Sequence, residues 1–432
     1  GGFLLLGGRL GDLYGHRRLF VGGIAAFTAA SVACGLAGSP AVLIAARAVQ
    51  GLGGAVVSAV ALSLVMTLFT EPAERTKAMG FIGFVAAGGG SIGVLLGGVL
   101  TDVLDWHWIF LVNAPIGVAV YLLSFRLLPV AHQRGAETRL DVAGAVSVTS
   151  ALMLAVYAIV NGNAVGWTSG RTLGILGAAA VALAVFLRLE TTVRSPLVPL
   201  SLFRLRNVAV SNVVGVLWAA AMFAWFFLSA LYLQLVLDYS PLQVGLAFLP
   251  GNVIMGIFSL GLSARLVMRF GIRRPLAVGL GIAAVGLLLF SRAPVGGSFL
   301  VDVLPGMLLL GFGAGMAFNP VLLAAMSDVE PKDAGLASGV VNTSFMMGGA
   351  LGLAVLASLA AARSSSLTDA GHGAIDALNG GYHVAFALGA FAAAMAAVLG
   401  GTLLRTAAPA PGTGELDEDL ASSEPALATA DC

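Results

Sequence analysis

Residues 41–69 read AVLIAARAVQGLGGAVVSAVALSLVMTLF, an apolar run broken by one charged side chain, Arg47, and one carboxamide, Gln50. Such a run exceeds the ~20 residues that an α-helix needs to cross hydrocarbon and the ~9–11 of a membrane β-strand. The bilayer core offers no water to backbone N–H and C=O groups, so the segment must pair them internally as a helix. The pattern recurs at 19–38, 77–101, 108–128, 141–161, 171–188, 208–235, 243–267, 275–291, 301–327, 335–359 and 383–404, between charged or Pro/Gly-rich breaks. Composition agrees: over 432 residues, 59% are hydrophobic and only 10% charged, with 58 glycines, which is far more apolar than a soluble protein. The expected fold class is all-α and polytopic.

An incomplete apolar run, residues 1–8, precedes these spans. It has no initiator Met, basic region or cleavage site, which argues against a signal peptide, and it reads as the end of a truncated helix. The 22 basic and 21 acidic residues give a net charge of +1 and no concentrated basic face, so no nucleic-acid partner is expected. Cys34 and Cys432 are too few for a disulfide framework or thiolate metal site, and no cofactor is indicated. The loops at 129–140 and 189–206 leave no room for a nucleotide-binding or soluble catalytic domain. No Ser/His/Asp, paired-carboxylate or metal-ligand arrangement points to an enzyme.

Basic residues alternate between loops. Arg9, Arg17, Arg18, Arg75, Lys77, Arg126, Arg134, Arg139, Arg188, Arg194, Arg204, Arg206, Arg265, Arg269, Arg273, Arg274, Lys332 and Arg405 fall on one side, leaving Arg171, Arg292 and Arg363 on the other. The first side is expected to be cytoplasmic, with the C-terminus. The tail 406–432, with Glu415, Asp417, Glu418 and Asp419 after Pro409 and Pro411, lacks the apolar surface to offset ordering entropy and reads as disordered.

Several short patterns carry functional information. Gly8-Arg9-Leu10-Gly11-Asp12-Leu13-Tyr14-Gly15-His16-Arg17-Arg18 is read as a loop in which Gly8 and Gly11 allow close approach. Asp12 caps a helix or pairs with a guanidinium there, and Arg17 and Arg18 meet acidic groups or anionic lipid headgroups. The alternative is a plain basic turn. Arg47, with Gln50 and Gly51, Gly53 and Gly54 beyond it, is expensive in a span unless paired or hydrated and is expected to face the bundle interior. Its competing reading is a structural arginine that snorkels to polar surroundings. Gly93, Gly97 and Gly98 form a side-chain-free stripe for tight packing or bending, and Asn113 and Pro115 mark an irregular helix after the interfacial Trp106 and Trp108. His107 reads as a protonation switch or, more simply, as a solvated interfacial residue.

These patterns resemble those of the major facilitator superfamily. The glycine/arginine segment is similar to the loop between its second and third helices, and residues 88–98 resemble its antiporter signature, with Val94 where that signature has proline. The run from Trp106 through Trp108, Phe110 and Asn113 to Pro115 resembles a pattern of the fourteen-helix drug/proton antiporter branch. The resemblance implies two six-helix bundles with two additional central helices, the first helix being missing. It divides the chain into 1–128, an N-terminal transmembrane bundle; 129–207, the central pair with linkers; 208–405, the C-terminal bundle; and the 406–432 tail. Residues 261–274 resemble a second copy of the glycine/basic loop, with Ala264 in place of an acid. The family associates the arginine corresponding to Arg47 with proton coupling.

Trp218, Trp225, Phe226, Tyr232 and Gln234, with Asn252, Asn319 and Asn342, are candidates for a substrate cavity, because rings receive large apolar or cationic molecules and buried amides orient polar atoms. Asp302 is a second candidate for proton coupling, with solvation at the outer interface as its alternative. The function implied is export of hydrophobic or amphipathic drugs or natural products in exchange for protons, in contact with membrane lipids of a bacterial inner membrane or plasma membrane. Open alternatives are a metabolite uniporter or uptake carrier, and a non-transporting sensor or scaffold; partners in an efflux complex are unspecified.

Overall fold

The computed structural model describes residues 1–68, 71, 74, 89, 92–128, 141–193, 196–198, 200–329 and 334–405. Among the described residues every regular element is helical. In chain order these are α1 (Leu4–Tyr14), α2 (His16–Gly35), α3 (Pro40–Leu68), α4 (Ile92–Val103), α5 (Trp108–Leu127), α6 (Val142–Val165), α7 (Gly170–Thr192) and α8 (Arg206–Leu231). There follow α9 (Pro241–Ile257), α10 (Ser263–Phe270), α11 (Arg273–Phe290), α12 (Leu304–Met326), α13 (Ala334–Asp369) and α14 (Ala374–Leu403). Ten helices among the described residues are long and apolar enough to cross a membrane, and the chain is a multi-pass membrane protein. The N-terminal part of the 77–101 run, the 129–140 loop and the 406–432 tail lie outside the described residues.

Polar side chains end these helices where the sequence supplies them. Asp141 accepts from the Gly144 amide at 2.7 Å to start α6, Ser169 accepts from Thr172 at 3.2 Å to start α7, and Ser240 and Gln243 cap α9 reciprocally. Each satisfies an amide that the first helical turn would otherwise leave unpaired. π-Helical turns continue α8 over Tyr232–Val236, join α9 to α10 over Phe258–Leu262 and lead into α12 over Phe299–Val303.

The elements differ in how far they enter the interior. Only 6% of the apolar window of α5 is buried, against 50% for α8, so α5 is packed on little of its surface and α8 runs through the packed interior. The main core lies among α8, α9, α11, α12 and α14, where Trp218, Trp225, Tyr232, Phe290, Met307 and Phe386 are fully enclosed. Small residues permit this closeness: a Cβ on Gly279 of α11 would lie 2.9 Å from the Gly313 carbonyl oxygen of α12. The α6/α7 hairpin docks on α13, where Asn163 Nδ2 donates to the Ser358 carbonyl at 2.6 Å and Ser358 Oγ donates to Ile159 O at 3.1 Å.

The helices correct three expectations. Gly8, Gly11 and Asp12 lie in α1, and Arg17 and Arg18 in α2; no loop of that length exists, because the chain reverses at Gly15 alone, whose φ of +90° is open to glycine. The run at 335–359 is part of a helix reaching Asp369, since Ala360, Ala361 and Ala362 keep high helix propensity beyond the apolar window. Likewise α14 begins at Ala374, nine residues ahead of the predicted start at 383.

Candidate functional site

The charged position in the opening stretch anchors a polar chain across two helices. A Cβ on Gly53 of α3 would lie 2.7 Å from the Phe27 amide nitrogen of α2, so the two backbones touch there. One turn away, the Gln50 side chain reaches Ser31: Gln50 Nε2 donates to Ser31 Oγ at 2.6 Å, and Ser31 Oγ donates to Phe27 O at 2.8 Å. Arg47 lies three residues before Gln50 on the same helical face, and its Nη1 donates to Gln50 Oε1. Its guanidinium also stands over the Phe110 ring, 5.6 Å from the centroid. Gln50 is 2% exposed and Ser31 is fully buried, whereas Arg47 is exposed. The buried part of this chain is the Gln50–Ser31 mount, and the Arg47 cation projects from it.

A second feature joins α4 to α9. A Cβ on Gly98 would lie 2.6 Å from the Pro241 carbonyl oxygen, and one on Gly245 would lie 3.2 Å from the Val94 carbonyl oxygen. The backbones therefore meet at the ends of both helices nearest the 104–107 and 237–240 turns. Gly93 and Gly97 have no neighbouring atom within 4 Å of such a Cβ, so of the predicted stripe Gly98 alone makes the close approach.

The candidate cavity residues separate into two groups. Trp218, Trp225 and Tyr232 are each 1% exposed and sit in the core, so these three do not line an open surface. Tyr232 Oη donates to Pro294 O at 2.9 Å, while the indole N–H groups of Trp218 and Trp225 have no acceptor among the described residues. Phe226 stacks on Phe248 with centroids 5.6 Å apart and remains partly exposed. Asn252 is buried, Asn319 Nδ2 donates to Ser259 O at 3.1 Å, and Gln234 and Asn342 are exposed.

A further aromatic set spans three helices. Phe345 of α13 makes edge-on contacts with Phe223 of α8 and Phe318 of α12, both at 6.1 Å between centroids. Phe318 is exposed, Phe223 is half-buried and Phe345 is buried, and Asn319 and Asn342 are near Phe318 and Phe345 in sequence, on α12 and α13. The sequence reading missed Phe318 and Phe345 because isolated rings in long apolar runs look alike. Ser31 was missed because only the α2/α3 contact brings it to Gln50.

The remaining candidates serve local structure. Asp302 Oδ2 accepts from the Ser298 amide at 2.7 Å and closes the turn leading into α12. Asp105 Oδ1 accepts from the His107 amide at 2.7 Å and contacts His107 Nδ1 at 2.8 Å, and these hydrogen bonds hold the Asp105 carboxyl below its ordinary range. Trp106 stacks on the His107 ring at 3.8 Å. Asn113 Nδ2 donates to Phe110 O at 3.2 Å where α5 is interrupted at Val112, and Pro115 is exposed. Among the described residues no group of His, Cys, Asp and Glu could hold a metal ion.

Compared with known proteins, residues 1–353 match the family model described as Major Facilitator Superfamily. The chain is 38% identical over 410 residues to the puromycin resistance protein pur8 of Streptomyces alboniger, an alignment covering 94% of this chain and 81% of that one. It is 40% identical over 358 residues to the cephamycin export protein CmcT of Amycolatopsis lactamdurans, covering 82% and 74%. Among solved structures, a variant of the nucleoside transporter NupG superposes with a TM-score of 0.60 at 12% identity, over 92% of this chain and 87% of that one. At that identity the likeness is one of fold.

Proposed function

This chain belongs to the major facilitator superfamily, and from that premise we propose that it exports antibiotic-like, hydrophobic or amphipathic molecules by alternating access, in exchange for protons. The observation that carries the reading is the extent of similarity to proteins named for puromycin resistance and cephamycin export, which align over 81% and 74% of their lengths. No covalent chemistry is involved; the chain acts by changing which side of the membrane a binding cavity faces.

The parts are assigned as follows. Residues 1–128 and 208–405 are the two moving bundles of a fourteen-helix arrangement, and 129–207 carries the central pair, which travels with the second bundle through the Asn163–Ser358 contact. The arginine-rich ends and the tail are cytoplasmic, in an inner or plasma membrane. The α4/α9 contact at Gly98 and Pro241 closes the outer side and must open when cargo leaves. Phe223, Phe318 and Phe345, with Asn319 and Asn342, form the cargo wall of the second bundle, and Phe226 extends it. Arg47 acts in proton coupling because its cation, fixed on Gln50, biases the protonation of groups that approach it during the cycle.

The test is substrate-linked proton movement in inverted vesicles, with puromycin and a cephamycin as cargo and empty vesicles as control. Proton release that accompanies cargo accumulation is the expected result. Accumulation without proton release points to a uniporter, and no flux from correctly inserted protein removes the export reading.

A further inference from the structure

The ends of α10, α11 and α14 border an open cavity of about 550 Å³ lined by Phe270, Arg273, Arg274, Ala277 and Gly401. Two arginines, Arg273 and Arg274, line it, and two more lie on the neighbouring helix. Arg265 and Arg269 are one helical turn apart on α10, and Arg273 and Arg274 open α11 after the left-handed turn at Gly271. Among the described residues no carboxylate pairs with any of the four.

Arg273 is mounted rather than free. Its Nε and Nη2 donate to the Gly401 carbonyl at 3.0 and 2.7 Å, and Nη2 also reaches Thr402 O at 3.1 Å, leaving Nη1 without an acceptor among the described residues. Arg274 is exposed beside it, and the Arg269 guanidinium lies over the Phe270 ring at 5.3 Å. The cavity adjoins the amino end of α11, where the helix dipole adds partial positive charge. The neighbouring surface is apolar: Met268 is 80% exposed and Phe270 44%. Cations with unused donors, next to side chains that water does not favour, describe the boundary between headgroups and acyl chains.

We propose that this cavity binds the phosphate of an anionic phospholipid, with Arg273 Nη1 and Arg274 on the headgroup and Met268 and Phe270 against its acyl chains. Guanidiniums match phosphate oxygens with paired, charge-assisted hydrogen bonds, so a phosphodiester is the fitting ligand class. Nothing in this assignment depends on which molecule is transported. It does use the placement of the arginine-rich ends at the membrane surface.

The experiment is native mass spectrometry of the purified full chain, first delipidated and then offered phosphatidylglycerol or phosphatidylcholine in detergent, with glycerol phosphate as a soluble competitor. Wild type is expected to retain phosphatidylglycerol in preference to phosphatidylcholine. R274Q and the double variant R269Q/R274Q should lower that retention on the order of tenfold, the loss expected of a charge-assisted hydrogen bond. These variants leave the Arg273 contacts to α14 untouched, and unchanged thermal midpoints would verify folding. Equal retention of both lipids, or full retention by the double variant, overturns the proposal. Displacement by glycerol phosphate at equal concentration reassigns the site to a soluble phosphate and likewise overturns the lipid assignment.

Discussion

Arg17 and Arg273 perform the same operation at two places in the chain. Each follows a left-handed glycine by two residues, Gly15 or Gly271, and each donates to carbonyl oxygens near the end of a later helix: Phe125 O of α5 at 2.9 Å and Gly401 O of α14 at 2.7 Å. A cation placed there satisfies carbonyls that the last helical turn leaves open and opposes the negative end of the dipole. Arg17→Ala and Arg273→Ala are each expected to lower stability by about 1 kcal/mol. Thermal unfolding in detergent measures this, and an unchanged midpoint in both variants would mean that the caps contribute nothing.

The Gln50 mount gives a sharper stability effect. Ser31→Ala leaves Gln50 Nε2 buried without an acceptor, so a loss of about 1–3 kcal/mol is expected. Ser31→Thr keeps the hydroxyl and should restore part of it. If alanine and threonine at position 31 unfold alike, the hydrogen bond is not what matters there.

Arg47→Ala and Arg47→Lys should both insert normally. Lysine lacks the planar fork that meets Gln50 and stacks on Phe110 at once. Proton-linked exchange in vesicles is expected to fall on the order of tenfold in either variant, the equivalent of losing one charged hydrogen bond. Normal coupled flux in the alanine variant would reject a coupling role.

Neighbouring glycines on α4 should respond oppositely. Gly98→Ala places a Cβ against the Pro241 carbonyl and is expected to cost about 1–3 kcal/mol of the closed arrangement, slowing transport. Gly97→Ala meets open space and should be neutral or stabilising by up to about 1 kcal/mol. Transport and unfolding assays on the pair check the contrast; equal effects would show that the α4/α9 contact is not limiting.

The Asp105–His107 pair predicts a pH dependence. The folded-state value of the Asp105 carboxyl is depressed, so its contribution is fully present above the ordinary value of about 3.9 and is lost as pH falls through the lower folded value. Carboxyl-carbon NMR should therefore place its titration below that of a free aspartate. A midpoint at or above 3.9 contradicts the hydrogen-bonded loop.

How much was legible varied with the range of the interaction. The caps at Ser240 and Gln243 join residues three apart, yet the reading of apolar runs started that span at 243 and passed over them. The Gly8–Arg18 segment was misread as a loop because glycine and charge suggest a turn locally, whereas packing of α1 on α3, with Gly7 against Val56 and Gly11 against Val60, holds it helical through Tyr14. The aromatic candidates on α8 were grouped by residue type, but a helix points Trp218 and Trp225 into the core and leaves Phe223 and Phe226 partly open.

The sequence alone determined that the chain crosses a membrane repeatedly as helices, because the free-energy cost of unpaired backbone in hydrocarbon depends only on the length and apolarity of each run. It also marked Arg47 as unusual, since a cation in such a run needs a reason. Only tertiary structure decided that this reason includes Gln50 and Ser31, that Gly98 rather than Gly97 meets α9, and that Arg273 reaches the end of α14. Those outcomes depend on how helices rotate and approach one another, and ångström-scale contact between residues remote in sequence leaves no periodic trace in the chain.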